Sequence, residues 1–137
     1  IYITNLTYFI MAKMTYERAP DVDLIVQNVL MKFPDKLTHI NGFRIICIRS
    51  HNSSVRAYAR IWSMPQVWKT ALDIDAFYVL EVLSKYFDKQ NDDEKEKTIL
   101  HELLHIPKTF SGALLPHVYG KEGKHIEEKV KEYYEKY

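Results

Sequence analysis

Asn91-Asp92-Asp93-Glu94 opens and Pro107 closes a stretch that reads as one helix, and within it stands His101-Glu102-Leu103-Leu104-His105. Asn91 with Glu94 three residues on has the spacing of a capping box, and the acidic run suits the positive end of a helix. Apolar Ile99, Leu100, Leu103 and Leu104 carry the helix on to about Ile106, with Ile99, Leu103 and Ile106 expected toward a core. Residues four apart on a helix lie one above the other, so the imidazoles of His101 and His105 can share one Zn²⁺. Glu102, one position round, sets a carboxylate beside the ion's open position, where a general base would act on water. With Ile99, Leu103 and Ile106 toward the core, the two histidines are left on an adjoining face.

Composition bounds the rest. The 137 residues are 47% hydrophobic and 27% charged, values that favour a folded core over disorder. We expect a single domain over residues 1–137, with residues 1–13 an N-terminal extension; residues 1–10 read equally well as an extra strand. No basic region precedes that apolar run, and it is too short to span a membrane. Nineteen basic against 18 acidic residues gives a net charge of +1, no electrostatic footprint for nucleic acid. The one cysteine, Cys47, excludes an internal disulfide, fits a reducing cytoplasm, and sits in an apolar run as a core residue.

In chain order, Val22, Ile25, Val26, Val29 and Leu30 form a helical stripe, capped by Asp21 or Asp23 and ended at Phe33-Pro34. Gly42 to Arg49 reads as a β-branched strand, and Ala57 to Trp62 as a second, paired with it in a hairpin across the polar turn at 51–54. Pro65 to Leu72 makes a short helical turn, Tyr78 to Leu83 a third strand, and Lys85 to Gln90 a linker into the capped helix. Lys108 to Gly123 is loop-like, with Gly112 and Pro116 as turning points, and Lys124 to Tyr137 is an amphipathic helix packing through Ile126, Val130, Tyr133, Tyr134 and Tyr137. The expected fold class is α+β: a twisted sheet of three to four strands, the histidine helix, and one or two further helices. His39 and His51 stand beside turn-like residues and are expected in solvent.

A catalytic zinc takes three protein ligands and a water. The metzincin pattern needs a glycine and a ligand where Lys108 and Ser111 stand, so it fails. A ligand on a second helix, in the thermolysin manner, leaves Glu122, His125, Glu127 and Glu128 open. The nearest donor in the loop after the helix is His117.

The His-Glu-x-x-His motif resembles that of the zincin metallopeptidases. The wider pattern is closer to one family: His101-Glu-Leu-Leu-His-Ile-Pro107, then Phe110-Ser-Gly112, then His117, resembles the small phage-type metallopeptidases. Tyr16-Glu-Arg-Ala-Pro20, Ala59-Arg-Ile-Trp-x-x-Pro65 and Tyr78-Val-Leu-Glu81 are similar to that family's preceding segments. The resemblance implies a zincin-like domain, His101, His105 and His117 as zinc ligands, and Glu102 as base. The expected function is cytoplasmic, zinc-dependent hydrolysis of peptide bonds in a peptide or protein substrate. Two other readings stand beside it: a non-catalytic zinc-binding interaction protein, and a hydrolase of non-peptide amides. Arg56, Arg60 and Tyr119 are candidates to hold a substrate carboxylate or an oxyanion.

Overall fold

The computed structural model describes residues 13–119 and 124–137, so the strand considered at residues 1–10 lies outside the described residues. The fold is built on β4 (Tyr78–Leu83), whose run Tyr-Val-Leu-Glu-Val-Leu is buried on both faces, the pattern of a central strand. β2 (Ile45–His51) runs parallel to it on one side and β3 (Ala59–Trp62) antiparallel on the other. β1 (Thr15–Arg18) pairs antiparallel with the outer edge of β2, giving the order β1-β2-β4-β3. The fold is therefore α+β with a mixed four-stranded sheet, as expected.

The hairpin expected between Gly42–Arg49 and Ala57–Trp62 does not form, because β4 lies between the two strands. Burial gives the reason. Seated centrally, Tyr78, Leu80 and Val82 are fully buried; a β2–β3 hairpin would leave that run on an edge. The first of these strands also starts later than expected. Gly42–Arg44 is a 3₁₀ turn capped by the Asn41 side chain, which accepts the Phe43 N–H at 3.0 Å, and β2 extends on to His51.

Five α-helices accompany the sheet among the described residues. α1 (Pro20–Lys32) buries Val22, Val26 and Val29, the expected stripe, but neither Asp21 nor Asp23 caps it. Its first turn instead begins on Pro20, which lacks the N–H a cap would serve, and Asp21 is drawn to Arg49 at 2.6 and 3.1 Å. Ala19 N–H donates to the Cys47 carbonyl at 3.1 Å, tying the helix start to β2. α2 (Gln66–Leu72) carries Trp68 in the expected place, and Ser84–Phe87 is a single turn, α3, where a linker was expected. α4 (Asp92–Leu103) has the predicted capping box, Glu94 N–H to Asn91 Oδ1 at 2.8 Å and Asn91 N–H to Glu94 Oε1 at 3.0 Å.

α1 and α4 pack together over the sheet. Ile99, Leu100 and Leu103 of α4 meet Val22 and Val29 of α1 and Tyr78 and Leu80 of β4 in one cluster, every one of them fully buried. That cluster holds α4 against α1 and the sheet, and another part of its surface lines a cleft. The tail differs from expectation at its start. Val118–Tyr119 (β5) and Lys124–His125 (β6) pair antiparallel, and the last helix, α5 (Ile126–Glu135), begins only at Ile126. Ile126 and Val130 are its buried positions, whereas Tyr137 stays exposed against the Phe33 ring. No described helix is long and apolar enough to cross a membrane.

Candidate metal centre

α4 stops one turn earlier than the sequence implies. Leu104 is its C-cap, and His105 and Ile106 donate to the carbonyls of Glu102 and Leu103, each three residues back. The tightened turn carries His105 just past the helix end, so the two motif histidines straddle that end. Their ring centroids lie 5.2 Å apart.

His117 completes the group. Its ring centroid is 5.3 Å from that of His101 and 4.5 Å from that of His105, and ligand atoms of the three rings lie within 4.8 Å of one another. Of the donors left open by the sequence, the described residues thus gather His117, not His125 or Glu128, beside the two motif histidines. Glu122 lies outside the described residues.

The loop that brings His117 back is tightly built. Leu115 binds His105 twice: its N–H donates to the His105 carbonyl at 2.7 Å, and its own carbonyl accepts from His105 Nδ1 at 2.6 Å. The Tyr78 hydroxyl accepts the Gly112 N–H and donates to the Ala113 carbonyl, both at 2.8 Å. Gly112 also accepts the Met64 N–H at 2.8 Å, and Lys69 Nζ donates to the Ser111 carbonyl at 2.5 Å. Gly112 is required there twice over. Its φ is +96°, and a Cβ would stand 2.5 Å from the Met64 carbonyl oxygen. Ile126 N–H donates to the His117 carbonyl at 2.9 Å, so α5 starts against the loop's far end.

Glu102 is 8% exposed, nearly sealed beneath the cleft. Burial pushes its carboxyl up to about 8; the Ile61 N–H, donating from β3, opposes this, and the nearby Glu127 charge adds to it. Among the described residues β3 is the last strand of the sheet, so Ile61 offers that N–H from the sheet's edge. Burial also holds His101 and His105 below the ordinary imidazole range, which favours the neutral, metal-binding form. With Nδ1 of His105 engaged by Leu115, Nε2 is its free ligand atom. Three clustered imidazoles, with the buried Glu102 carboxyl next in sequence to one of them, fit a divalent transition metal. An open cleft of about 1010 Å³ lies alongside, lined by His101, Glu102 and His117 and running between α4, α5 and the residues leading into β3.

The other candidates go elsewhere. Arg60 points to the opposite face of β3, where it pairs with the fully buried Glu81 at 2.8 Å; Trp62 Nε1 donates to the same carboxylate at 2.9 Å. Arg56 is exposed and does not line the cleft. The Tyr119 side chain lies outside the described residues. His39 is half-buried rather than free in solvent, with Nε2 3.1 Å from the Ile106 carbonyl at the end of the motif. The sequence reading missed Tyr78 and Leu115 as loop anchors and Ile61 as partner of Glu102. A tyrosine in an apolar run reads as core, and backbone groups carry no residue-type signal. Glu127, weighed there only as a ligand, sits against His101 Nδ1.

An α+β fold with a mixed sheet, a histidine triad, a buried glutamate and an adjoining cleft defines a candidate metal-binding site. The chain belongs to the family described as putative phage metallopeptidase, whose model matches residues 14–135. No curated protein and no solved structure matches it.

Proposed function

We propose that the protein is a zinc-dependent peptidase, with His101, His105 and His117 holding the ion and Glu102 as general base. The observation that carries this reading is the burial of Glu102 beside three clustered imidazoles at the wall of an open cleft. When bound, zinc supplies a Lewis acid that polarises a peptide carbonyl and makes water acidic enough to surrender a proton. Glu102 would take that proton and then return it to the leaving amine. The Ile61 N–H keeps the carboxylate aimed while it does so. The Leu115 carbonyl fixes the tautomer of His105. An extended peptide would find backbone partners along the edge strand β3, beside Ala57 and Ala59 in the cleft.

The test is zinc content and proteolysis in wild type, Glu102→Gln and His117→Ala. Retained zinc with lost cleavage in Glu102→Gln, and lost zinc in His117→Ala, are the expected results. Unaltered cleavage in Glu102→Gln would remove the base; full zinc in His117→Ala would remove the third ligand. Cleavage of small amides or esters in place of peptides would move the substrate class without moving the site.

A further inference from the structure

We propose that Glu127 is the positioning residue for His101, a role resting on the metal reading above. An imidazole can offer one nitrogen to a metal only while the other is held, because the partner of the second nitrogen sets the tautomer and the plane of the ring. His105 meets this need through the Leu115 carbonyl at 2.6 Å. His101 has no such help: its Nδ1 is buried and finds no backbone carbonyl in hydrogen-bonding position among the described residues. What stands against that atom is the Glu127 carboxylate, in direct contact with it.

The placement follows from the chain. β5 and β6 pair Val118 with His125, and Ile126 donates to the His117 carbonyl at 2.9 Å. The connection that brings His117 to one side of His101 therefore delivers Glu127, in the first turn of α5, to the other. A carboxylate there accepts the Nδ1 proton, leaves Nε2 as the free ligand atom, and makes the imidazole a stronger donor. Glu127 stands outside the group of three whose ligand atoms converge, which separates this role from that of a fourth ligand.

Zinc affinity by chelator competition, and the visible spectrum of the cobalt(II)-substituted protein, test the assignment in wild type, Glu127→Ala and Glu127→Gln. Loss of an outer-shell partner of this kind costs about 10–100-fold in metal affinity, the expected effect of Glu127→Ala. Glu127→Gln keeps an acceptor for the Nδ1 proton and should recover most of that loss. Both variants should retain the wild-type cobalt coordination number. Both also lose the same favourable charge at the start of α5, so their metal-free melting curves should coincide. Equal affinity in wild type and Glu127→Ala would overturn the proposal. A changed cobalt coordination number would overturn it too, making Glu127 a ligand. If wild type itself binds no zinc, the metal reading fails, and this inference with it.

Discussion

The buried carboxyl of Glu102 makes the metal-free protein less stable as pH rises, by an amount the structure fixes approximately. Its ordinary value is 4.5, and burial raises it to about 8 in the folded chain. Between those values the folded state binds a proton that the unfolded state has released. Stability therefore falls with increasing pH across that window and levels off above it. Three and a half units at about 1.4 kcal/mol each set an upper limit of roughly 5 kcal/mol. From pH 5.5 to 8.5 the share lost is about 3 kcal/mol, a large part of the stability of an ordinary domain.

Glu102→Gln isolates this contribution. The amide has nearly the shape of the protonated acid and still offers an oxygen to the Ile61 N–H, but it cannot ionise. His101 and His105 titrate with the opposite slope, since their values are lowered, and both proteins carry them. The histidine contribution therefore cancels between the two proteins to first order. Urea unfolding with a chelator present, at pH 5.5 and 8.5, should show the variant gaining about 3 kcal/mol on wild type between the two conditions. Parallel behaviour of the two proteins would refute the argument, because Glu102 would then be hydrated or paired in solution. Adding zinc should flatten the wild-type slope, as a nearby cation favours the carboxylate.

Two further outcomes follow from the loop that returns His117. Tyr78→Phe removes the hydroxyl that holds Gly112 and Ala113, leaving two backbone groups without that partner; a loss of about 2–3 kcal/mol in denaturant unfolding, with weaker zinc binding, is expected. Gly112→Ala forces a Cβ to 2.5 Å from the Met64 carbonyl oxygen at a φ of +96°, and should lower stability by about 1–3 kcal/mol while pushing the loop, and zinc affinity, out of place. Wild-type zinc affinity in either variant would show that the loop does not set the position of His117.

The parts of this structure that could be read from the sequence are those encoded within a few residues of chain. The capping box of Asn91 and Glu94, the buried stripe of Val22, Val26 and Val29, and the strand Tyr78–Leu83 all appear where local pattern put them. The position of β4 between β2 and β3 did not, because strand order is decided by which apolar run gains most from burial on both sides. That comparison spans the whole chain. The gathering of His117 with His101 and His105 was legible as chemistry but not as geometry. Nothing in Leu115-Pro116-His117 says that Leu115 will bind His105 through both its N–H and its carbonyl.

The same distinction explains why Glu102 and Glu127 were harder to read than the histidines. On a helix with this many charges, a glutamate is most simply a solvated side chain, and Glu127 is indeed 76% exposed. Glu102 differs because β3 ends the sheet at the point where α4 crosses it, so that the sheet's edge and a core helix meet over one carboxylate. The motif places an acid next to a histidine pair, but it does not say whether that acid is wet. Its proton affinity is set by the sheet edge and by α5, which lie about forty residues before and twenty-five after it in sequence. A His-Glu-x-x-His helix transplanted without them would keep two of the three imidazoles and lose the surroundings that raise the proton affinity of Glu102.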